Sequence, residues 1–227
     1  MRSHMGTHNR VSNIGGASEA AQARRWPLAE VLVRRRSQSN KAERPFRSSG
    51  TRMPRLPDNE AARLRELVRK MTTLTEQRGY EFDSTWVEQH GWVIVPVENT
   101  GHLAEEEIDR IVPALNSTGH LTCVAIGAIE LPDPLPTVYE LAVSHDDLRA
   151  FNGECGAFRF LLTDGELSWA ISCNEWFNLF AGPPPLIEQM LGASIRQARE
   201  EFLEYATVVE QGSEGQLTQI ARQYIGD

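Results

Sequence analysis

The side chains best able to do chemistry in this chain are six histidines set among 31 acidic residues. His102 with Glu105 and Glu106 has the i, i+3 and i+4 spacing that places metal ligands on one helix face. A metal site needs three or four ligands, and no second histidine follows at helical spacing. Because acidic side chains are favoured at the positive N-terminal end of a helix, we interpret these residues as a helix start and predict no metal.

A second acid-base candidate is the run Ser144-His145-Asp146-Asp147. A carboxylate can orient an imidazole, but adjacent residues at a helix start point in different directions. Serine with an acidic residue three positions later is typical of a capping box. We therefore predict a short helix here, ended by Asn152-Gly153.

The three cysteines, Cys123, Cys155 and Cys173, do not have the spacing of a disulfide framework. Cys123 lies in an apolar run and is predicted to be buried and inert. Cys155 and Cys173 fall on opposite faces of a predicted hairpin, so we expect no disulfide between them. A reducing cytoplasm fits this pattern best.

No nucleophile elbow, phosphate-binding loop, dinucleotide fingerprint, zinc-protease motif or paired C-x-x-C occurs in the chain. We therefore predict no catalytic residue and no cofactor. The remaining enzyme hypothesis is a small hydrolase whose site is assembled from dispersed side chains. The candidates for it are His90, His102, His120, His145, Glu140 and Asp146.

Aromatic residues are concentrated between Trp169 and Phe180. Trp176, Phe177 and Phe180 cannot all lie on one face of a strand, so at least one is expected to be exposed. An exposed aromatic beside an acidic residue, here Glu175, is what an interaction hot spot needs.

Charge divides the chain at about residue 52. Residues 1–52 carry 11 of the 23 Lys and Arg and 3 of the 31 Asp and Glu, a balance of +8. The other 12 basic and 28 acidic residues give residues 53–227 a balance of −16. The basic arm has the composition of a disordered segment. It fits an upstream extension that is not native, a tail for nucleic acid or membrane surfaces, or a transit peptide.

The acidic part is about 175 residues long, the size of one domain with its own core. Hydrophobic periodicity predicts a helix over 58–78, stopped at Gly79, and a second helix over 103–112, stopped by Pro113. Strands are predicted at 92–97, where Pro96 favours either a sheet edge or a position near the end of the strand, and at 121–131 and 137–143. Asp164-Gly165 is typical of a two-residue turn, which would set Leu162 opposite Leu167 with one face of the hairpin apolar. The other face is expected to be polar and turned to solvent, as in a half-buried sheet, and carries Arg159, Thr163, Glu166, Ser168 and Ser172.

A helix is predicted to begin near Leu186, after three prolines, and to be broken or kinked at Gly192. A second helix is predicted over 194–209, where Val209 is expected to be buried. The order of elements predicts an α+β domain over 53–210, with a mainly antiparallel sheet packed against N- and C-terminal amphipathic helices. Residues 211–227 are predicted to be a flexible joint and a short C-terminal helix. No stretch of about 18 apolar residues occurs, so no membrane span is expected.

The function predicted from charge is a non-enzymatic, acidic protein-binding module with a basic protein partner. An immunity or inhibitor protein and a secretion-type chaperone both fit this description by analogy. The negative charge of the acidic domain is expected to repel nucleic acid. A functional basic arm would instead tether the domain to nucleic acid or membrane. The residues predicted to contact the partner are Glu105, Glu106, Glu107, Glu175, Trp176 and Asn178.

Overall fold

The computed structural model describes residues 53–75, 79–99, 103–127, 138–155, 159–174, 176–211 and 215–225. The described residues form seven helices and eight strands. In chain order they are α1 (Asp58–Met71), β1 (Thr72–Thr75), β2 (Gly79–Phe82), α2 (Ser84–Gln89), β3 (Val93–Glu98), α3 (Glu105–Ser117), β4 (Thr122–Gly127), β5 (Val138–Ala142), α4 (His145–Cys155), β6 (Phe160–Thr163), β7 (Ala170–Cys173), β8 (Phe177–Gly182), α5 (Pro184–Leu191), α6 (Ile195–Val209) and α7 (Gln216–Ile225).

Six of the strands form one antiparallel sheet in the order β3-β8-β7-β6-β4-β5. β1 and β2 form a separate antiparallel pair. The predicted α+β class and the antiparallel sheet are confirmed. Of the two positions predicted for the strand at Pro96, the sheet edge is the one found, because among the described strands β3 pairs with β8 alone.

Both faces of the large sheet are covered by a hydrophobic core. The first core lies under α3, α4 and α5, which contribute Ile108, Leu148 and Ile187. The second core receives Leu64 from α1, Phe202 from α6 and Ile220 from α7. The prediction that the β6–β7 hairpin has one polar, solvent-facing side is therefore wrong. Thr163 and Ser172 on those strands are fully buried.

The register of this hairpin also differs from the prediction. Leu162 lies opposite Ile171 rather than Leu167, so residues 164–169 form a loop of six residues. The Asp164 side chain explains the wider loop, because its carboxylate accepts hydrogen bonds from the backbone N–H (2.8 Å) and the hydroxyl of Ser168. Since the shift in register is even, the faces of the paired residues are unchanged.

The first helix is shorter than predicted and ends at Met71. β-Branched Thr72 opens a hairpin with Gly79–Phe82, in which Thr72 pairs with Phe82. Gly79 enters β2 with φ of 68°, a left-handed conformation that suits glycine. Leu74, predicted to lie in the helix stripe, is on this hairpin and is 45% exposed.

Two other helices run past the residues expected to stop them. α3 continues through Pro113 to Ser117, and α4 continues through Gly153 to Cys155. Pro113 lies on the exposed side of α3, while Ala114 and Leu115 beyond it are buried in the core. Burial of the following turn outweighs the local penalty of proline in this helix.

The C-terminal helices close the second face of the sheet. α5 ends at Gly192, which takes the left-handed conformation, and the Ser194 side chain caps α6 by accepting from Gln197 N–H at 3.2 Å. α7 buries Leu217, Ile220 and Ala221, so it belongs to the same compact unit, Arg52–Asp227. None of the helices in the described part of the chain is long and apolar enough to cross a membrane.

Candidate functional site

A groove lies at the end of the sheet where β7 turns into β8. Its walls come from that turn, from the end of α6 and from the start of α7. Its volume is about 230 Å³. The lining residues are Asn174, Trp176, Phe177, Val209, Glu210, Gln216 and Leu217. We call this site the Trp176 groove.

Trp176 is the large aromatic side chain of the groove that remains open to solvent. It is 51% exposed, whereas Phe177 and Phe180 are buried in the second and first cores. The two phenylalanines take opposite faces because they have opposite parity along β8. The prediction that at least one of these aromatics is exposed is confirmed.

The neighbouring end of α6 adds further apolar surface. Val209 lines the groove and is 43% exposed, and Val208 is 41% exposed. The prediction that Val209 is buried is therefore wrong, because the last turn of α6 extends beyond the sheet that its earlier turns cover. Tyr205 anchors that turn to the groove by donating its hydroxyl to the Trp176 carbonyl at 3.5 Å.

Glu210 joins the two helical walls of the groove. Its carboxylate accepts from the N–H groups of Gly215 (3.0 Å), Leu217 (2.7 Å) and Thr218 (3.0 Å). The Thr218 hydroxyl donates to it at 2.6 Å. These are the unpaired donors that every helix start leaves, so Glu210 caps α7. Burial opposes ionisation, but the hydrogen bonds outweigh it and lower the pKa of Glu210.

A buried polar network begins at the groove wall. The backbone carbonyl of Asn174 accepts from the Asn99 side-chain amide, and that amide also donates to Asn178 Oδ1 at 2.9 Å. Asn178 in turn places its Nδ2 3.5 Å from Glu107 Oε2. All four side chains are at most 6% exposed. We call these residues the asparagine network, with Glu107 at its inner end.

Glu107 is a buried carboxyl in the first turn of α3. Its Oε2 accepts from Ala104 N–H at 2.7 Å, and its Oε1 has no hydrogen-bond partner among the described residues. Burial raises its pKa to about 7, against the smaller lowering by its bonds to Ala104 and Asn178. The group therefore changes charge near neutral pH.

The residues predicted to contact a partner lie in three environments. Glu105 and Glu106 are exposed, and Glu105 pairs with Arg149 at 2.6 Å. Trp176 is exposed in the groove. Glu107 and Asn178 are 4% and 0% exposed, so direct contact with a partner does not fit their burial in this fold. Both side chains lie between α3 and the sheet, where Asn178 Nδ2 is 3.5 Å from Glu107 Oε2. Glu175 lies outside the described residues.

The groove residues that sequence reasoning missed come mainly from the α6–α7 junction. Val209, Glu210, Gln216 and Leu217 carry no local binding signature. The available signals were an acid five residues before Gly215 and asparagines at strand ends, Asn99 and Asn174. Neither signal says which distant element the side chain meets.

The described cysteines are buried thiols. Cys123 is 1% exposed, and burial raises its pKa to about 12. Burial also raises the pKa of Cys173 well above its ordinary value, with the Glu107 charge adding to the effect. Because the thiolate is the nucleophile, neither group is suited to nucleophilic chemistry at neutral pH. The Cys155 side chain lies outside the described residues.

The described histidines have separate partners. His145 Nε2 lies 3.3 Å from Asp109, and His90 stacks on Trp86 with ring centroids 4.0 Å apart. His120 Nδ1 lies 3.3 Å from Asp164 Oδ2. Within the described ranges, no three His, Cys, Asp or Glu residues are grouped as a metal site. His102 lies outside those ranges.

The pair formed by His120 and Asp164 also includes Ser168, whose hydroxyl donates to the same carboxylate oxygen. In a catalytic triad the histidine stands between the serine and the acid, so that it can take the serine proton. Here the carboxylate stands between them. This order suits a loop brace rather than an activated nucleophile.

Comparison with known proteins gives no family model, no curated protein and no solved structure that matches this chain.

Proposed function

We propose that this protein is a non-enzymatic, acidic protein-binding module whose Trp176 groove takes an apolar side chain from a basic protein partner. The observation that carries the proposal is Trp176, a tryptophan left 51% exposed at the wall of an apolar groove. Tryptophan is enriched among the few residues that dominate interface energies.

The size of the groove supports a protein ligand. Sites for drug-sized molecules and cofactors occupy roughly 300–1,000 Å³. The Trp176 groove, at about 230 Å³, falls below that range. It is large enough for one bulky side chain that projects from a partner's surface.

Charge supports a basic partner. Residues 53–227 carry 28 acidic and 12 basic residues, and Glu210 adds a carboxylate to the groove wall itself. A field of this sign speeds encounter with cationic surfaces and disfavours nucleic acid and anionic membranes as partners of the acidic domain. The fitting ligand is an apolar residue flanked by Lys or Arg. An immunity-type inhibitor and a secretion-type chaperone are the two kinds of protein we propose, both acting in the cytoplasm.

The experiment is an affinity capture from the native host with the full chain as bait, followed by binding kinetics on the captured protein. We expect a basic protein whose capture falls at high salt and whose affinity drops at least about thirtyfold in Trp176→Ala, as hot-spot truncations of 2 kcal/mol or more imply.

Leu121→Ala is the matched control. Leu121 is 69% exposed, and it precedes β4 at the end of the sheet opposite the β7–β8 turn. Equal binding by wild type and Trp176→Ala would contradict the proposal. A double change, Glu105→Lys with Glu106→Lys, should slow association at low salt, because both side chains are exposed.

A further inference from the structure

We propose that the protonation state of Glu107 is transmitted through the asparagine network to the Trp176 groove, so that the groove binds its partner more tightly when Glu107 is ionised. This inference rests on the proposed function for the role of the groove. The coupling itself concerns only the unbound protein.

The path between the two sites consists of a few buried contacts. Glu107 Oε2 meets the Asn178 amide, the other end of that amide accepts from Asn99, and Asn99 donates to the Asn174 carbonyl. Asn174 lines the groove and begins the turn that carries Trp176. All of these side chains are excluded from solvent, so water does not replace a weakened contact.

The two states of Glu107 act differently on this path. The carboxylate only accepts hydrogen bonds, and bonds to an ionised acceptor are about twice as strong as neutral ones. The 3.5 Å contact from Asn178 Nδ2 is long for a hydrogen bond and therefore has room to tighten when the acceptor is charged. Ionisation thus holds Asn178, and through it Asn99 and the Asn174 carbonyl, in one arrangement.

Protonation removes that hold. The neutral acid becomes a donor, and its Oε1 has no acceptor among the described residues. The network then loses the charged acceptor at its inner end, and the turn at Asn174 samples other arrangements. A groove that is competent for only part of the time binds with lower apparent affinity.

The charged groups on the elements packed around Glu107 act on its charge or have partners of their own, as His145 on α4 does with Asp109 at 3.3 Å. On its own helix, Arg110 favours the ionised form and Glu106 opposes it. From β7, the Cys173 thiol faces it and stays protonated. On α4, Arg149 is engaged by Glu105 and Asp109, and on α5, Glu188 accepts from Ile195 N–H at 3.3 Å.

The test is a pH titration of the full chain, without partner, by NMR of the tryptophan indole N–H groups. The Trp176 resonance is assigned with Trp176→Phe. In wild type we expect the Trp176 indole resonance to shift with pH around a midpoint near 7, the same midpoint as the Glu107 side-chain carboxyl carbon. In Glu107→Gln this pH-dependent shift should be absent.

An internal control is the Trp86 indole, because its ring stacks on His90 and has no part in the asparagine network, so its resonance should be the same in both proteins at each pH. A Trp176 resonance that does not titrate, or that titrates equally in Glu107→Gln, would overturn the coupling. If Glu107→Gln fails to fold, wild type alone tests the coupling. The titration midpoint of the Glu107 carboxyl carbon must then equal that of the Trp176 indole, and unequal midpoints would overturn the coupling.

The captured partner then separates the two proposals. Coupling predicts about fivefold tighter binding at pH 8 than at pH 6 in wild type, reduced or absent in Glu107→Gln. If the pH-dependent shift of the Trp176 indole is absent in Glu107→Gln but Trp176→Ala captures the partner as well as wild type does, the coupling is supported and the proposed function is rejected.

Discussion

Two carboxylates near the Trp176 groove occupy helix starts, yet they have opposite chemistry. Glu210 accepts four hydrogen bonds at the start of α7, and its pKa is lowered. Glu107, in the first turn of α3, accepts one strong bond from Ala104 and a long one from Asn178, and its pKa is raised to about 7. A helix start alone therefore does not decide whether a nearby acid is ionised.

The difference lies in how many donors replace lost water. Glu210 lies near the surface, and the α7 backbone meets both of its oxygens. Glu107 has lost nearly all contact with water, and its Oε1 gains no described donor in return. Desolvation favours the neutral acid and hydrogen bonds favour the carboxylate, so the balance of the two sets each pKa.

These shifts give opposite contributions to stability as pH changes. The raised pKa of Glu107 stabilises the fold most below its ordinary value of 4.5, and that contribution is lost as pH rises through about 7. The lowered pKa of Glu210 stabilises the fold above its ordinary value, and that contribution is lost in acid. Glu107 therefore acts as a buried group that titrates near neutral pH, whereas Glu210 acts as a helix cap that stays ionised at neutral pH.

The largest expected effect comes from Glu107→Gln. A shift from 4.5 to about 7 corresponds to about 3 kcal/mol of pH-dependent stability at a site with little solvent screening. We expect the free energy of unfolding of the variant, relative to wild type, to rise by about this amount between pH 4.5 and pH 8. Urea denaturation across that range measures it.

The two proteins are compared by how their free energy of unfolding changes with pH, not by its absolute value. The amide introduced by Glu107→Gln is buried without an acceptor and destabilises the variant at every pH. A parallel pH dependence in wild type and Glu107→Gln would show that Glu107 titrates normally.

Glu210→Ala should have the next largest effect, a loss of about 2 kcal/mol near neutral pH, the upper end for a helix cap. The physical reason is that three backbone N–H groups at the start of α7 lose their acceptor. Relative to wild type, hydrogen exchange in Glu210→Ala should accelerate more for the backbone amides of α7 than for those of β6 and β7. Uniform acceleration across the chain would indicate that α7 does not open separately.

Thr218→Val should have the smallest effect, a loss of about 1 kcal/mol, because it removes one donor to Glu210 and leaves the backbone bonds in place. Thermal unfolding at pH 7 measures the change. At a pH well below 4.5 the difference from wild type should shrink, since protonated Glu210 is a weaker acceptor. A difference that does not change with pH would separate Thr218 from the charge on Glu210.

Much of the local structure followed from short-range patterns. Pro96 indicated an edge strand, Gly192 ended α5, and Ser144 capped α4 by accepting from Asp147 N–H at 3.1 Å. Each of these effects acts within one turn of helix or one pair of strands. The same rules failed at Pro113 and Asp164, where buried neighbours and a side-chain hydrogen bond outweighed the local preference.

The candidate site was predictable only in part. Because Trp176, Phe177 and Phe180 could not share one strand face, an exposed aromatic was expected. Both faces of β8 are buried, and Trp176 is the exposed residue because it precedes β8 in the turn from β7. The location of Glu107 was not predictable, since three consecutive glutamates look alike in sequence. Helix α3 turns Glu105 and Glu106 to solvent and Glu107 toward Asn178, 71 residues away.

The sequence by itself determined the α+β class, the antiparallel sheet and the acidic character of residues 53–227, because composition and periodicity depend on near neighbours. Only the tertiary structure decided which carboxylates meet donors, which asparagines connect, and that α6, α7 and the β7–β8 turn enclose a groove. Those properties depend on desolvation and on contacts between residues far apart in the chain, and neither is written in local sequence.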